Sequence, residues 1–293
     1  MKCLWDPLHK SNKKPGKCES DARRVPYHNT KKKCNKERSP IQVLTTPDVP
    51  HLNIYFILFL VFLLWEPFSR GFFCDDESLK YPYHENTVTT LVLRLYGLGL
   101  PFLVVLVCEW IILRKEPSDT KVFGLSIPTW IRGLYCTVVA FGLGALFVEL
   151  STEIAKQVIG RLRPHFFDLC RPSIDCSLPE WHGRYVLPSE YYCTSNSSQI
   201  EDMRKSFLSG HSSFAAYTMV FVALYLERRM TWRGTRVLRH SLQFSALMIS
   251  WFTALSRVSD YKHHWSDVLA GYSLGVVFAI LVVTWALSLL YPW

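Results

Sequence analysis

The sequence predicts an all-α fold: a polytopic membrane protein, a six-transmembrane-helix bundle with its functional groups at the outer membrane boundary. Three observations carry that expectation. Apolar residues gather in blocks near 52–65, 90–113, 128–150, 212–226, 241–255 and 268–290, and a helix needs about 20 apolar residues to cross a hydrocarbon core roughly 30 Å thick. Basic residues cluster in alternate inter-block segments, which fixes an orientation. Three islands of ionisable residues then fall at block ends on one side of the membrane. Mean hydropathy is only +0.10 because a polar amino-terminal region dilutes the average.

That region, 1–40, is expected to be separate from a six-helix domain over 41–293. It carries Lys13, Lys14, Arg23, Arg24 and the run Lys31, Lys32, Lys33 against few acidic residues, and it has no hydrophobic periodicity. It reads as a disordered tail. A basic run can serve nucleic acid or an anionic leaflet, and the apolar blocks that follow favour the leaflet.

The first block, 52–65, is only 14 residues long. It can span if the helix begins near Val43, although Pro47 and Pro50 make that end irregular. A short interfacial segment is the alternative. No cleavable signal peptide is visible, since no small-residue cleavage site follows the apolar run.

The loop between blocks two and three holds Arg114, Lys115 and Lys121, and that between four and five holds Arg228, Arg229, Arg233, Arg236 and Arg239. The loop between one and two is acidic, with Asp75, Asp76, Glu77 and Glu85. Both termini are therefore expected in the cytosol. Asn196-Ser197-Ser198, a glycosylation acceptor, falls on the predicted outer side. So do Cys74, Cys170, Cys176 and Cys193, where disulfides are permitted, with the pairing open. No C-x-x-C occurs, which argues against a zinc site. Cys3, Cys18 and Cys34 of the tail read as free thiols, with acylation the alternative.

The islands follow in chain order. In "KQVIGRLRP", 156–164, Lys156 and Arg163 are seven residues apart, nearly two turns, and are expected on one helical face. Arg161 points about 140° away from Lys156, and Pro164 marks the helix end. The bland reading is snorkelling cations at a helix terminus. In "FLSGHSSF", 207–214, Ser209 is an expected N-cap, Gly210 admits a ligand close to the backbone, and His211 stands beside first-turn N–H donors. Taken alone, this is a helix start with a stray histidine. In "SRVSDYKHHWSD", 256–267, His263 and Asp267 are four apart and are expected to stack on the helix leading into the last block. A carboxylate on one imidazole nitrogen leaves the other free to act as nucleophile or base. Arg257 offers a planar fork for phosphate. An exposed salt-bridged loop is the bland reading here, and it leaves the grouping of three islands on one side unexplained.

Together the islands supply Lys156, Arg163 and Arg257, helix-start donors and two histidines. That inventory suits phosphoryl transfer without a metal: cations and N–H groups hold the equatorial oxygens, one histidine attacks in line, the other protonates the leaving oxygen.

The ordered pattern K-x6-R-P, S-G-H, S-R-x5-H-x3-D resembles the type 2 phosphatidic acid phosphatase superfamily. "GRLRPHF", "SGHSSF", "SRVSDYKHHWSDVLAG" and "FFCDDESLKYPY" are similar to its animal lipid phosphate phosphatases in particular. The resemblance covers roughly 66–290. It implies that His263 forms a phosphohistidine with Asp267 orienting it, and that His211 serves as proton donor. It further implies that Lys156, Arg163, Ser209, Gly210, Ser256 and Arg257 cradle the phosphate. Implied substrates are phosphatidic acid, lysophosphatidic acid, sphingosine 1-phosphate and ceramide 1-phosphate, without magnesium or other cofactor. The implied setting is the plasma membrane or endomembranes, with the site exoplasmic; a homo-oligomer stays open. Leu208 stands where the superfamily often has proline. A catalytically silent relative and a sugar-phosphate phosphatase are the competing readings. A transporter has only the six spans in its favour.

Overall fold

A computed structural model describes residues 57, 61, 66–116, 121, 122, 125–195, 200, 202–231 and 233–290. The basic tail, nearly all of the first apolar block and Asn196 lie outside the described residues. The α-helices described are α1 (Thr90–Leu113), α2 (Thr129–Ile159), α3 (Phe166–Cys170), α4 (Gly210–Arg229), α5 (Arg236–Ser259) and α6 (Trp265–Leu290). Two short antiparallel ribbons accompany them, so the fold is mostly helical. β1 (Phe72–Phe73) pairs with β4 (Tyr185–Val186), and β2 (Lys121–Val122) with β3 (Leu125–Ser126).

Three described helices are long and apolar enough to cross a membrane: α1, α2 and the stretch Trp265–Thr284 of α6. The expected six spans are thus only partly met. α4 and α5 have suitable lengths, 20 and 24 residues, but too polar a composition to qualify. Their placement explains how that is tolerated. Residues Ser212 to Ala223 of α4 are buried without a break, along with Tyr225 and Leu226. A helix enclosed by protein keeps serines and threonines that a lipid-facing helix would pay to expose. α5 is two-sided: Phe244, Trp251 and Phe252 are exposed, whereas Ser250 and Thr253 turn inward to Tyr272 and Tyr96.

The core runs along α4. Phe214, Tyr217, Phe221 and Tyr225 pack with Val105, Phe141, Val148, Ala279 and Val283 from α1, α2 and α6, and the Tyr217 hydroxyl donates to the Phe141 carbonyl at 2.6 Å. α6 approaches α4 through Gly271 and Gly275, where a Cβ would fall 2.7 Å from the Ser209 oxygen and 2.2 Å from the Ser213 oxygen. This is the close crossing that a G-x-x-x-G spacing permits.

Segments 66–89, 160–195 and 202–208 form a cap at one end of the bundle. It has its own core of Phe72, Leu79, Leu162, Phe166, Val186, Tyr191 and Met203. Disulfides Cys74–Cys176 and Cys170–Cys193 staple it. α2 enters the cap through Gly160, whose φ of 58° and contact with the Phe68 oxygen both demand glycine.

Candidate active site

The cap-side ends of α2, α4, α5 and α6 converge. Lys156 occupies the last turn of α2, with Nζ 2.7 Å from Glu153 Oε1. The same ammonium would lie 3.3 Å from a Cβ built on Gly210, so it faces the first residue of α4. There the first-turn N–H groups have no intrahelical acceptor. Ser209 precedes them in extended conformation, but its hydroxyl caps none of them and instead accepts from Ser212 Oγ at 3.0 Å. The expected side-chain N-cap is therefore not formed, which leaves those donors available.

Arg163 does not share a helical face with Lys156 as expected, because α2 ends at Gly160. It lies in irregular chain, its N–H donating to the Met203 carbonyl at 2.9 Å. Nη2 lies 2.8 Å from Asp202 Oδ1, and Nε is buried with no partner. Arg257, in the last turn of α5, is 1% exposed. Its Nη2 donates to Asp260 Oδ2 at 2.6 Å and its Nη1 to Asn86 Oδ1 at 2.9 Å. Asp260 also accepts from Thr87 N and Oγ1 at 2.8 and 2.6 Å. The strap 86–88 ahead of α1 thereby fixes the guanidinium. Ser256 directs its hydroxyl to the Thr253 carbonyl at 2.9 Å and accepts from Arg257, so it too is turned toward the protein.

The His263–Asp267 stack is not formed. α6 begins at Trp265, so His263 precedes the helix and the four-residue register does not apply. His263 Nδ1 instead lies 2.6 Å from the backbone oxygen of Ser206. Asp267 reaches Ser206 from the other side, accepting from its Oγ at 2.5 Å, and also meets Arg161 Nη1 at 2.5 Å and His264 Nδ1 at 3.3 Å. The Ser206 carbonyl can only accept, so Nδ1 carries the proton and Nε2 keeps its lone pair. Sequence reasoning gave Ser206, Asn86 and Thr87 no role, and pointed Arg161 away.

His211 is bonded through its ring to the backbone of Val88, and its Nε2 is buried with no partner. Burial pushes this imidazole down to about 3, with Arg257, Lys156 and Arg163 adding to the effect. Burial likewise takes His263 well below its usual value, helped by Arg163, Lys156 and His211. The three cations and two imidazoles thus lie within electrostatic reach of one another, around a locus that disfavours further positive charge. Chemically, that arrangement is suited to hold an anion beside two neutral imidazoles. His165 is also pushed down, to about 4, by burial, but its Nδ1 lies 2.8 Å from the Tyr261 carbonyl and it reads as a satisfied core histidine.

The profile of the PAP2 superfamily matches residues 136–290. Phospholipid phosphatase 1 of Rattus norvegicus is 44% identical over 220 residues, covering 74% of this chain and 75% of its own. Phospholipid phosphatase 2 of Homo sapiens is 36% identical over 223 residues, covering 74% and 73%. A Drosophila melanogaster protein with a provisional phosphatidate phosphatase name is 44% identical over 250 residues; the match spans 80% of this chain and 65% of that relative, just under two thirds. A crystal structure of a transmembrane PAP2 type phosphatidylglycerolphosphate phosphatase from Bacillus subtilis aligns over 83% of this chain and 88% of its own at 18% identity. Its TM-score is 0.36, too low to inform the site.

Proposed function

We propose, from the premise that this chain belongs to the PAP2 superfamily, that it hydrolyses lipid phosphate monoesters through a phosphohistidine. The relatives at 36–44% identity that are named phospholipid phosphatases support the substrate class. The observation that carries the mechanism is the pair of neutral imidazoles, His211 with a buried unpartnered Nε2 and His263 with Nδ1 engaged, set among Lys156, Arg163 and Arg257.

The phosphate enters the cluster of cations with its oxygens toward Lys156, Arg163 and the first-turn N–H groups at Gly210. Arg257, held by Asn86 and Asp260, adds fixed charge behind them. His263 Nε2 attacks phosphorus, a P–N bond forms, and the P–O bond to the lipid alcohol breaks. His211 gives its proton to the departing oxygen. Burial first, and then the three cations, push its proton affinity down, so it takes up that proton when the phosphate charge offsets them, and binding and protonation are coupled. Water then attacks the phosphohistidine with His211 taking its proton, which releases phosphate. Ser209 and Gly210 shape the cradle, and Ser256 acts by steadying Arg257.

Phosphatidic acid, lysophosphatidic acid, sphingosine 1-phosphate and ceramide 1-phosphate are the proposed substrates. The chain's own cations supply the charge, so neither magnesium nor another cofactor enters the proposal. The acidic, disulfide-bearing cap is assigned to the exoplasmic side of the plasma membrane or endomembranes, with both termini cytosolic. Phosphate release from phosphatidic acid in detergent micelles with excess EDTA tests the reading. Wild type should turn over and His263→Ala should not. Equal rates for the two, or loss in EDTA restored by magnesium, would overturn it.

A further inference from the structure

The three cations of the site are each matched by a carboxylate, and the three pairs differ in kind. Arg257 pairs with Asp260, which is buried and also held by two bonds from Thr87, so that carboxylate is fixed in place. Arg163 pairs with Asp202, whose side chain is 59% exposed, so water and salt screen it. Lys156 pairs with Glu153 one turn back on α2 at 2.7 Å, with both side chains mostly buried at 17% and 13% exposure. Lys156 can turn its flexible stem toward a new partner, and its ammonium already lies against Gly210, where the phosphate would sit.

We propose that Glu153 is a resident counter-anion that competes with phosphate for Lys156, and that it sets how readily inorganic phosphate leaves the site. This rests on the phosphatase reading above. Before substrate arrives, the carboxylate balances the ammonium in a partly dry location. When the phosphate binds, Lys156 transfers a hydrogen bond from the Glu153 carboxylate to a phosphate oxygen. When the phosphohistidine has been hydrolysed, Glu153 takes Lys156 back and the product loses one of its contacts. Glu153 acts through Lys156 and is a positioning residue. Such a carboxylate is useful where the product carries the same dianionic group that the cations hold in the substrate, because an uncompensated cradle would retain it.

The test is inhibition of phosphatidic acid hydrolysis by inorganic phosphate and by vanadate, with Glu153→Gln and Asp202→Asn beside wild type. Glu153→Gln keeps the length of the side chain and one acceptor oxygen while removing the charge. It should tighten inhibition by inorganic phosphate about three- to ten-fold, as for a partly buried ion pair, and lower KM in the same direction. Asp202→Asn, at the screened pair, should change both less than about two-fold. Damage to the fold does not make a site bind its product more tightly, so a gain is diagnostic. Unchanged or weaker inhibition in Glu153→Gln, or an equal gain in Asp202→Asn, would overturn the proposal while leaving the phosphatase reading intact. If wild type released no phosphate and ignored vanadate, the phosphatase reading would fail instead.

Discussion

The backbone carbonyl of Ser206 receives Nδ1 of His263 at 2.6 Å, while Asp267 holds the hydroxyl of the same serine at 2.5 Å. The carboxylate that the motif pairs with the histidine reaches it through an intervening residue. Ser206 is fully buried, and its own N–H donates to the Arg161 carbonyl at 3.0 Å. The imidazole is bonded to a backbone atom of the residue whose hydroxyl Asp267 holds.

Ser206→Ala should therefore lower kcat about ten-fold with KM little changed, since it removes the hydroxyl but keeps the carbonyl. Ser206→Thr should restore most of the loss. With Asp267→Asn the effects should be less than additive, because the two act on one imidazole. Steady-state kinetics of the four variants checks this; full activity in Ser206→Ala would show that Asp267 orients His263 without it.

The strap ahead of α1 makes a second expectation. Thr87→Val removes one of the two bonds from Thr87 that hold Asp260, and Asn86→Ala removes the acceptor for Arg257 Nη1. Neither residue is placed on the phosphate, yet each should weaken vanadate inhibition several-fold by freeing a guanidinium that the site needs fixed. Asn86 and Thr87 are themselves exposed, but their partners Arg257 and Asp260 are buried, so each loss should also lower the unfolding midpoint, by no more than about 1–3 kcal/mol. Vanadate titration read beside thermal unfolding separates positioning from stability: a lower midpoint with unaltered inhibition would reduce the strap to a structural role.

Acid should destabilise the unliganded protein in a defined window. His211, His263 and His165 all have folded values depressed below the unfolded one. Below an unfolded value of about 6.5 the unfolded chain binds protons that the folded chain refuses, so stability falls as pH drops from there toward the folded values. Each such group contributes a slope of about 1.4 kcal/mol per pH unit within that window. His211→Gln should flatten the fall in unfolding midpoint between pH 6.5 and 5, and saturating vanadate should blunt it in wild type. A midpoint rising toward acid would contradict the burial of these imidazoles as neutral groups.

Much of the site was legible because chemistry chooses residue types. Lys156, His211, Arg257 and His263 are titratable groups beside apolar blocks, and the structure brings them to one end of the bundle. The geometry between them was less legible. Helical spacing placed Arg163 with Lys156 and His263 with Asp267, yet Gly160 ends one helix early and Trp265 begins the other late. Ser206 had no signal, since any residue offers a backbone carbonyl. The four cysteines of the cap were recognisable as disulfide formers, but their pairing depends on how the cap folds. Hydropathy blocks marked α4 and α5 in the chain as spans, but composition does not say whether a helix is wrapped by others, as α4 is.

The glycine crossing of α6 on α4 has a consequence for biogenesis. The backbone oxygens of Ser209 and Ser213 face the backbone of a helix that is synthesised after α4. A ribosome that has not yet passed Trp265 has made α4 without the helix that packs on this face, and those backbone oxygens lack that cover. Maturation must therefore await α6, and chains arrested before it should be recognised as unassembled and degraded.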